Sequence, residues 1–366
     1  MSSTRIYRFL FAGGGTGGHL YPALAVAQQI KLLKPEAEFL FVGTVDKIES
    51  RVVPQYGFDF KSIWISGFSR KLTLNNLLFP LKVVVSMIQS LWLVMKFKPR
   101  VAIGSGAYVS GPVIWAASVL GTKIILLEQN SYPGVTNRIL EKRAEEIHIS
   151  FEESKKFFRE QKKIKLTGNP VRVNLKMIDK AEALSKFELD AKKKTILILG
   201  GSGGARNINN AIADAINELN ENNIQVIWQT GQFYFEENKK FESKSVKVLP
   251  FIDDMSAAFS ACDLLVARAG ATTITEVSFL GIPVIFVPSP HVAANHQYKN
   301  AKAISDASAA LLIEDKDLKT SLCKTIIDLI KDESKLTELR KNISAFAKPH
   351  AAKVIAESAI KMAEII

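Results

Sequence analysis

Cysteine is nearly absent. Cys262 and Cys323 are the only two in 366 residues, and no CxxC spacing joins them. That excludes a disulfide framework and a thiolate metal knuckle. Both lie in apolar contexts and read as buried thiols of a reduced compartment. Histidine is scarce too: His19, His148, His291, His296 and His350. His291 and His296 are spaced wrongly for a helix-borne metal pair, so no metal is expected. The start, MSSTRIYRFLFAGGG, holds no apolar run long enough for a signal peptide, so the expected compartment is the cytoplasm. Long Lys/Arg runs and RNA-binding signatures are missing, so nucleic acid is not an expected partner.

Long apolar runs are short as well. Leu72 to Arg100 is apolar almost throughout, yet its longest uncharged core is Val83 to Met95. That falls short of the roughly 20 residues a spanning helix needs. One reading is a buried helix of an α/β domain. The other is a helix whose outer face meets a membrane surface through Phe79, Trp92 and Phe97, with Lys82, Lys96, Lys98 and Arg100 beside them. Both fit different faces of one helix.

What is present is basic charge and alternation. Lys and Arg number 48 against 36 Asp and Glu, a net charge of +12, which favours an anionic partner. Valine-, isoleucine- and leucine-rich runs such as RIYRFLFAG, EFLFVGT, RVAIGSG, KIILLEQ, KTILILGG, IQVIWQTG, VKVLPFI, DLLVARAG and PVIFVPS alternate with helical stretches. Continuous apolar runs suit strands buried on both faces, and the alternation suits βαβ units. FLFAGGGTGGH near the start resembles LILGGSGGAR (Leu197 to Arg206). Two such strand–glycine loop–helix beginnings predict two doubly wound parallel-sheet domains. The turn chemistry of Leu166 to Arg172 puts the linker near Gly168. The C-terminal helix, roughly Ala351 to Ile366, fits either domain.

Three glycine-rich turns follow strands: Gly13 to His19, Gly104 to Pro112 and Gly200 to Arg206. Backbone without Cβ atoms lets a ligand come close. Its N–H groups face anions, and a following helix adds a positive dipole end. The loops at Gly13 and Gly200 both lack the Lys-Ser/Thr ending of a P-loop. Gly13-x-Gly15-x-x-Gly18 matches GxGxxG, but Glu36 and Glu38 are poor ribose-binding acids beside Lys34-Pro35. Alone the match is weak evidence, and a tight turn with no ligand is the other reading of either loop. His19 closes the first loop and is a candidate base. Glu128, in LLEQNSYPG, ends a strand before a Gly/Pro turn with Gln129 and Asn130 beside it. Thr273 and Glu276 form T-x-x-E, which reads equally as a capping box and as a phosphate- and ribose-binding pair. Asp315 and Asp317 are expected to cap a helix.

The motifs GGGTGGHLYPALAVA, ISGFSRK, GSGAYVSGP, EQNSYPGVTN, TGNPVR, GGSGGARNIN, FIDDM, ARAGATTITE, GIPVIFVP and NHQYKNA, in this order over nearly the whole chain, resemble glycosyltransferase family 28. Within it the likeness is to the peptidoglycan transferases that join N-acetylglucosamine from UDP-GlcNAc to the MurNAc 4-hydroxyl of lipid I, giving lipid II. One departure is Leu127, where that family often has histidine.

The resemblance implies the GT-B fold: two Rossmann-like domains facing across a cleft, with a metal-independent, inverting reaction and no cofactor. It implies an acceptor and membrane domain over 1–167, with helix 346–366 packing back on it, and a donor domain over 168–345. Implied donor contacts are Thr16, Gly17, Gly18, His19, Asn130, Arg172, Ser202, Gly203, Ile252, Ala271, Thr272, Thr273, Glu276, His296 and Gln297. The Phe251-Ile252 backbone would read uracil, Glu276 would bind ribose, and Arg172, Ser202 and Thr273 would face the pyrophosphate. Implied acceptor contacts are Gly14, Gly15, Gly104, Gly106, Tyr108, Ser110 and Asn137, with Gly14 to Gly18 and Gly104 to Ser110 around the acceptor pyrophosphate. His19 is the expected base, with Glu128 its rival or orienting partner. Expected partners are UDP-GlcNAc, lipid I, an anionic membrane surface and other cell-wall synthesis proteins. The expected place is the cytoplasmic face of the membrane, held peripherally. The readings set against this are a GT-B transferase for another lipid, a UDP-sugar epimerase and a non-catalytic nucleotide-binding scaffold.

Overall fold

The computed structural model describes residues 7–67, 78–201, 203–292 and 295–365. They form two units: Met1–Val173 with Lys348–Ile366, and Asn174–Ala347. The first contains β1 (Arg8–Ala12), β2 (Glu38–Gly43), β3 (Asp59–Ser62), β4 (Val101–Gly104), β5 (Lys123–Glu128), β6 (Glu146–Ile149) and β7 (Ile164–Leu166). All pair in parallel, in the order β3-β2-β1-β4-β5-β6-β7. β1 explains the layering. Its side chains alternate faces. Phe9 and Phe11 pack with Leu20, Leu24 and Ile30 of helix Gly17–Leu33 and with Ile355 and Ala359 of helix Ala351–Glu364. Leu10 and Ala12 face Leu93 and Val94 of helix Phe79–Phe97 and Val109 and Val113 of helix Ala107–Val119. Burying each phenylalanine contributes about 1.5–3 kcal/mol.

The second unit holds β8 (Lys194–Leu199), β9 (Ile224–Gln229), β10 (Val246–Leu249), β11 (Leu264–Ala267), β12 (Val284–Phe286) and β13 (Leu311–Leu312). These are again parallel, in the order β10-β9-β8-β11-β12-β13. Ile196, Ile198, Val226 and Trp228 pack against Ile208 and Ile212 of helix Arg206–Glu221. The strand order reverses at β1/β4 in one sheet and at β8/β11 in the other. Ligands of open α/β sheets sit at that switch point, off the carboxyl ends of the strands. The three glycine loops follow β1, β4 and β8.

The first unit continues past Gly168 to Val173. Gly168 has φ +87°, and a Cβ there would fall 2.4 Å from Lys348 Cβ. The turn read as a linker is thus packed against the returning chain, which begins helix Ala351–Glu364. Ala356, Ala359 and Ala363 let that helix approach helix Gly17–Leu33 closely. Arg100 Nη1 donates to Ala363 O at 2.9 Å, and Ser358 Oγ donates to Glu146 Oε2 at 2.5 Å.

Glu146 is the electrostatic anchor of this dock. Burial raises its pKa, but hydrogen bonds from His148, Lys165 and Ser358 outweigh burial and hold it at about 2, below the ordinary 4.5. Its stabilisation is therefore complete above pH 4.5 and fades as pH falls toward 2. Thermal unfolding followed by circular dichroism will show a melting temperature that drops across that window. In Glu146→Gln the drop will be shallower, from a lower starting value at neutral pH.

Candidate functional site

In the first unit the switch point gathers the loops after β1, β4 and β5. His19 stands in the first turn of helix Gly17–Leu33, whose N-cap is Thr16. Its backbone N–H donates to Thr16 O at 3.3 Å. Its Nδ1 lies 2.7 Å from Ser105 O and 3.1 Å from Gln129 Oε1. A carbonyl oxygen can only accept, so Nδ1 carries a hydrogen, and in that tautomer the lone pair lies on Nε2. Gly106, at φ +95°, makes this approach possible. A Cβ there would fall 2.9 Å from His19 Nδ1.

Glu128 is 2% exposed. Oε1 accepts from Asn130 N at 3.0 Å and Asn130 Nδ2 at 3.4 Å. Oε2 accepts from Gly134 N at 3.0 Å and Asn137 Nδ2 at 2.9 Å. A carboxylate has about four lone-pair sites, and four N–H donors occupy them. Glu128 therefore folds the turn after β5 around itself, and the adjoining Gln129 reaches His19.

In the second unit two helices of useful length begin at the switch point. Helix Arg206–Glu221 follows the loop after β8, and helix Ala271–Leu280 follows the loop after β11. Neither has an acidic residue in its first turn. Each N-terminus carries about half a positive charge and unpaired N–H groups, a ready site for phosphate. Glu276 is 4% exposed on the second helix, and Thr272 Oγ1 is buried with no protein partner. Gln297 Oε1 accepts from Ser289 N at 2.9 Å, which orients its amide. Arg268 Nη1 donates to Val287 O, Pro288 O and Asp315 Oδ1 at 3.2, 3.1 and 2.6 Å, tying the loops after β11, β12 and β13 together.

Two sequence profiles match. The glycosyltransferase family 28 N-terminal domain covers residues 9–149, and the glycosyltransferase family 28 C-terminal domain covers residues 195–355. The chain belongs to glycosyltransferase family 28. Among family-28 relatives is the UDP-N-acetylglucosamine–N-acetylmuramyl-(pentapeptide) pyrophosphoryl-undecaprenol N-acetylglucosamine transferase of Flavobacterium psychrophilum. It is 46% identical over 361 residues, 98% of each chain. The crystal structure of Acinetobacter baumannii MurG is 27% identical with TM-score 0.72, covering 97% of this chain and 99% of that one. A Neisseria meningitidis UDP-GlcNAc 2-epimerase, at 13% identity and TM-score 0.68 over 97% and 99%, shares the fold alone.

Within this family-28 chain, several expected contacts have other partners. Ser110 is fully buried and its hydroxyl donates to Ala107 O. Gly104 ends β4, where a side chain would strike Ile114. Asn137 is 1% exposed and its amide nitrogen serves Leu127 O and Glu128, leaving Oδ1 unpaired. The Ile252 N–H donates to Gln229 Oε1 at 2.9 Å. Arg172 belongs to the first unit, its guanidinium 4.2 Å above the Tyr21 ring, because that unit extends past the expected boundary. Lys82, expected on a membrane face, turns inward to Ser66 Oγ at 3.1 Å.

The capping box at Thr273 does not form, since the N-cap is Gly270 and Thr273 lies inside the helix. Asp315 pairs with Arg268, and Asp317 sits at an N-cap without a side-chain bond, so neither side chain caps a helix. Thr16 and Gly203 are exposed; Gly14 and Gly15 lie in the loop after β1 and Asn130 in the loop after β5, while Gly17, Gly18 and Tyr108 stand in the first turns of helices Gly17–Leu33 and Ala107–Val119. Ala271 opens helix Ala271–Leu280, and His296 opens helix His296–Asp306. Ser202 and residues 68–77, including the end of ISGFSRK and the start of the Leu72 stretch, lie outside the described residues. Sequence reasoning missed Glu49, Arg268 and the Gln129 contact. Gln129 and Arg268 sat inside quoted motifs, whereas nothing local marked Glu49.

Glu128→Ala will destabilise the fold by about 2–4 kcal/mol, because buried N–H groups left unpaired cost about 1–3 kcal/mol each. His19→Ala will cost about 1 kcal/mol, the worth of one hydrogen bond. Urea unfolding of the two variants checks the contrast.

Proposed function

We propose that this chain transfers N-acetylglucosamine, with inversion, from UDP-GlcNAc to the MurNAc 4-hydroxyl of lipid I, producing lipid II and UDP. The observation that carries this reading is 46% identity, over 98% of both chains, to a transferase named for that reaction. The first unit is read as the acceptor domain and the second as the donor domain. His19 is the base. Its Nδ1–H on Ser105 O leaves Nε2 to take the proton from the attacking hydroxyl. The new bond forms from that oxygen to the anomeric carbon as the bond to the UDP phosphate oxygen breaks. Inversion needs one base and no carboxylate nucleophile. Glu128 supports the site by shaping the turn that brings Gln129 to His19.

The leaving pyrophosphate gains charge. The N-termini of helices Arg206–Glu221 and Ala271–Leu280 suit it, with Thr272 and Thr273 adding hydroxyls, and no metal is required in this reading. Glu276 and Gln297 are read as ribose and sugar contacts, with His296 beside them. Tyr108, Asn130 and the Gly14 to Gly18 loop are read as facing the acceptor end.

Peripheral membrane attachment fits helix Phe79–Phe97. By length and composition it is long and apolar enough to span a bilayer. One face packs Leu93 and Val94 into the first unit's core, which suits lying on a surface instead. The other exposes Leu81, Val84, Ile88, Trp92 and Met95 at helical spacing, with Lys96 over the Trp92 ring. Phe79 and Phe97 are half-buried at its ends.

Labelled N-acetylglucosamine will pass from UDP-GlcNAc to a short-chain lipid I analogue, in chelator as well as without it, and UDP-glucose will donate far more slowly. His19→Ala will lower kcat about 100- to 10,000-fold. Near-normal turnover in His19→Ala, with loss in a folded Glu128→Ala, would reverse the assignment. Trp92→Glu will weaken flotation with vesicles containing anionic lipid, and unchanged flotation would point to another face.

A further inference from the structure

Glu49 is a buried carboxylate that the reaction above does not use. It is 1% exposed, in the first turn of helix Ile48–Gln55. Its Oε2 accepts from Gly15 N at 2.8 Å. Its Oε1 accepts from Thr44 N at 3.0 Å and Thr44 Oγ1 at 2.9 Å. The carboxylate therefore bridges the loop after β2 and the glycine loop after β1. Two glycines make room for it. A Cβ on Gly14 would fall 2.3 Å from Glu49 Cδ, and one on Gly43 would fall 2.4 Å from Glu49 Cγ.

This changes what the first glycine loop does. The Gly15 N–H is committed inward to Glu49, at a residue held at φ +77°. The next residue, Thr16, accepts from the backbone N–H of His19 and Leu20 and so begins the helix that carries His19. Three residues further along, the imidazole meets Ser105 O.

We propose that Glu49 is a positioning residue: it sets the Gly13–Thr16 turn from below, and through it the orientation of His19 and the acceptor loop. The proposal rests on the transferase reading. Its chemistry is specific to a carboxylate, because all three partners are donors. Glutamine keeps one acceptor oxygen and turns an NH2 group toward either Gly15 N–H or the Thr44 pair. A misplacement of about 1 Å at a reacting group is enough to cost about 100-fold in rate.

The test measures kcat, the KM for a lipid I analogue and the Kd for UDP in wild type, Glu49→Gln and Thr44→Val. It also records the 15N spectrum of His19 in each. Glu49→Gln is expected to lower kcat by about 10- to 100-fold and to raise the acceptor KM several-fold. Its UDP affinity should stay within about two-fold, since a loss of folding would lower both together. Thr44→Val, which removes one of three donors, is expected to move the same quantities less. In the spectrum, wild type should show hydrogen on Nδ1, and Glu49→Gln should show a mixture of tautomers. Wild-type values of kcat and acceptor KM in both variants would overturn the proposal. If wild type itself transfers nothing, the transferase reading falls. The His19 spectrum then decides alone: mixed tautomers support the role of Glu49, and an unchanged spectrum overturns it.

Discussion

The 2.7 Å bond from His19 Nδ1 to Ser105 O joins the loop after β1 to the loop after β4. Much else must be right before it can exist. β1 and β4 must be neighbours and parallel, so that both loops leave the same sheet edge. Gly106 must lack a side chain, because a Cβ would meet the imidazole. The helix must start at Gly17, so that His19 falls in its first turn. The apolar alternation of β1, with phenylalanines to one side and Leu10 and Ala12 to the other, holds that edge in place from both faces.

Two buried carboxylates surround this bond and do the same kind of work. Glu128 gathers donors from its own following turn, and Glu49 gathers them from two loops on neighbouring strands. Each lies at about 1–2% exposure with N–H or O–H donors on both oxygens. A buried polar group stripped of its partners is costly, so each carboxylate fixes the backbone that serves it. Acidic residues near a sugar invite a catalytic role. Here four donors on Glu128 and three on Glu49 mark both as scaffold acids, and in the proposed reading the base is left to the histidine.

The sequence made the fold class legible because the central strands are apolar on both faces. RFLFA, EFLFVG, KIILLE and KTILIL leave little alternative to parallel strands under helices. The strands it did not mark are DFKS, EIHI, IKL and LL, short segments with polar or half-exposed residues. β3, β7 and β13 are edge strands and β6 lies next to one, and such short pairings have no local pattern strong enough to read. The glycine loops and His19 were visible as motifs. Glu49 was not, since IESRVVPQ looks like an ordinary surface helix until β2 sets it beneath Gly15. The Arg268–Asp315 pair was hidden in the same way, its partners lying far apart in the chain and meeting only through the order β11-β12-β13.

The two glycine loops, alike in sequence, differ in their physics. After β1, Gly13 and Gly14 are glycine because Ser105 and Glu49 occupy the space a Cβ would need. After β8, Gly201 and Gly203 have nothing within 4 Å of such a Cβ, and both are exposed. Gly204, at φ +77°, is pressed against Thr230 O, and Gly200 against Ala205 N. In the first loop glycine admits the protein's own side chains, which leaves a shaped support for a histidine. In the second it keeps backbone bare ahead of a helix N-terminus, which is what an anion needs. In the proposed reading, a shared motif thus serves a base in one unit and a phosphate site in the other. The residues that distinguish the two, Glu49 and Ser105, are far from the motif in sequence.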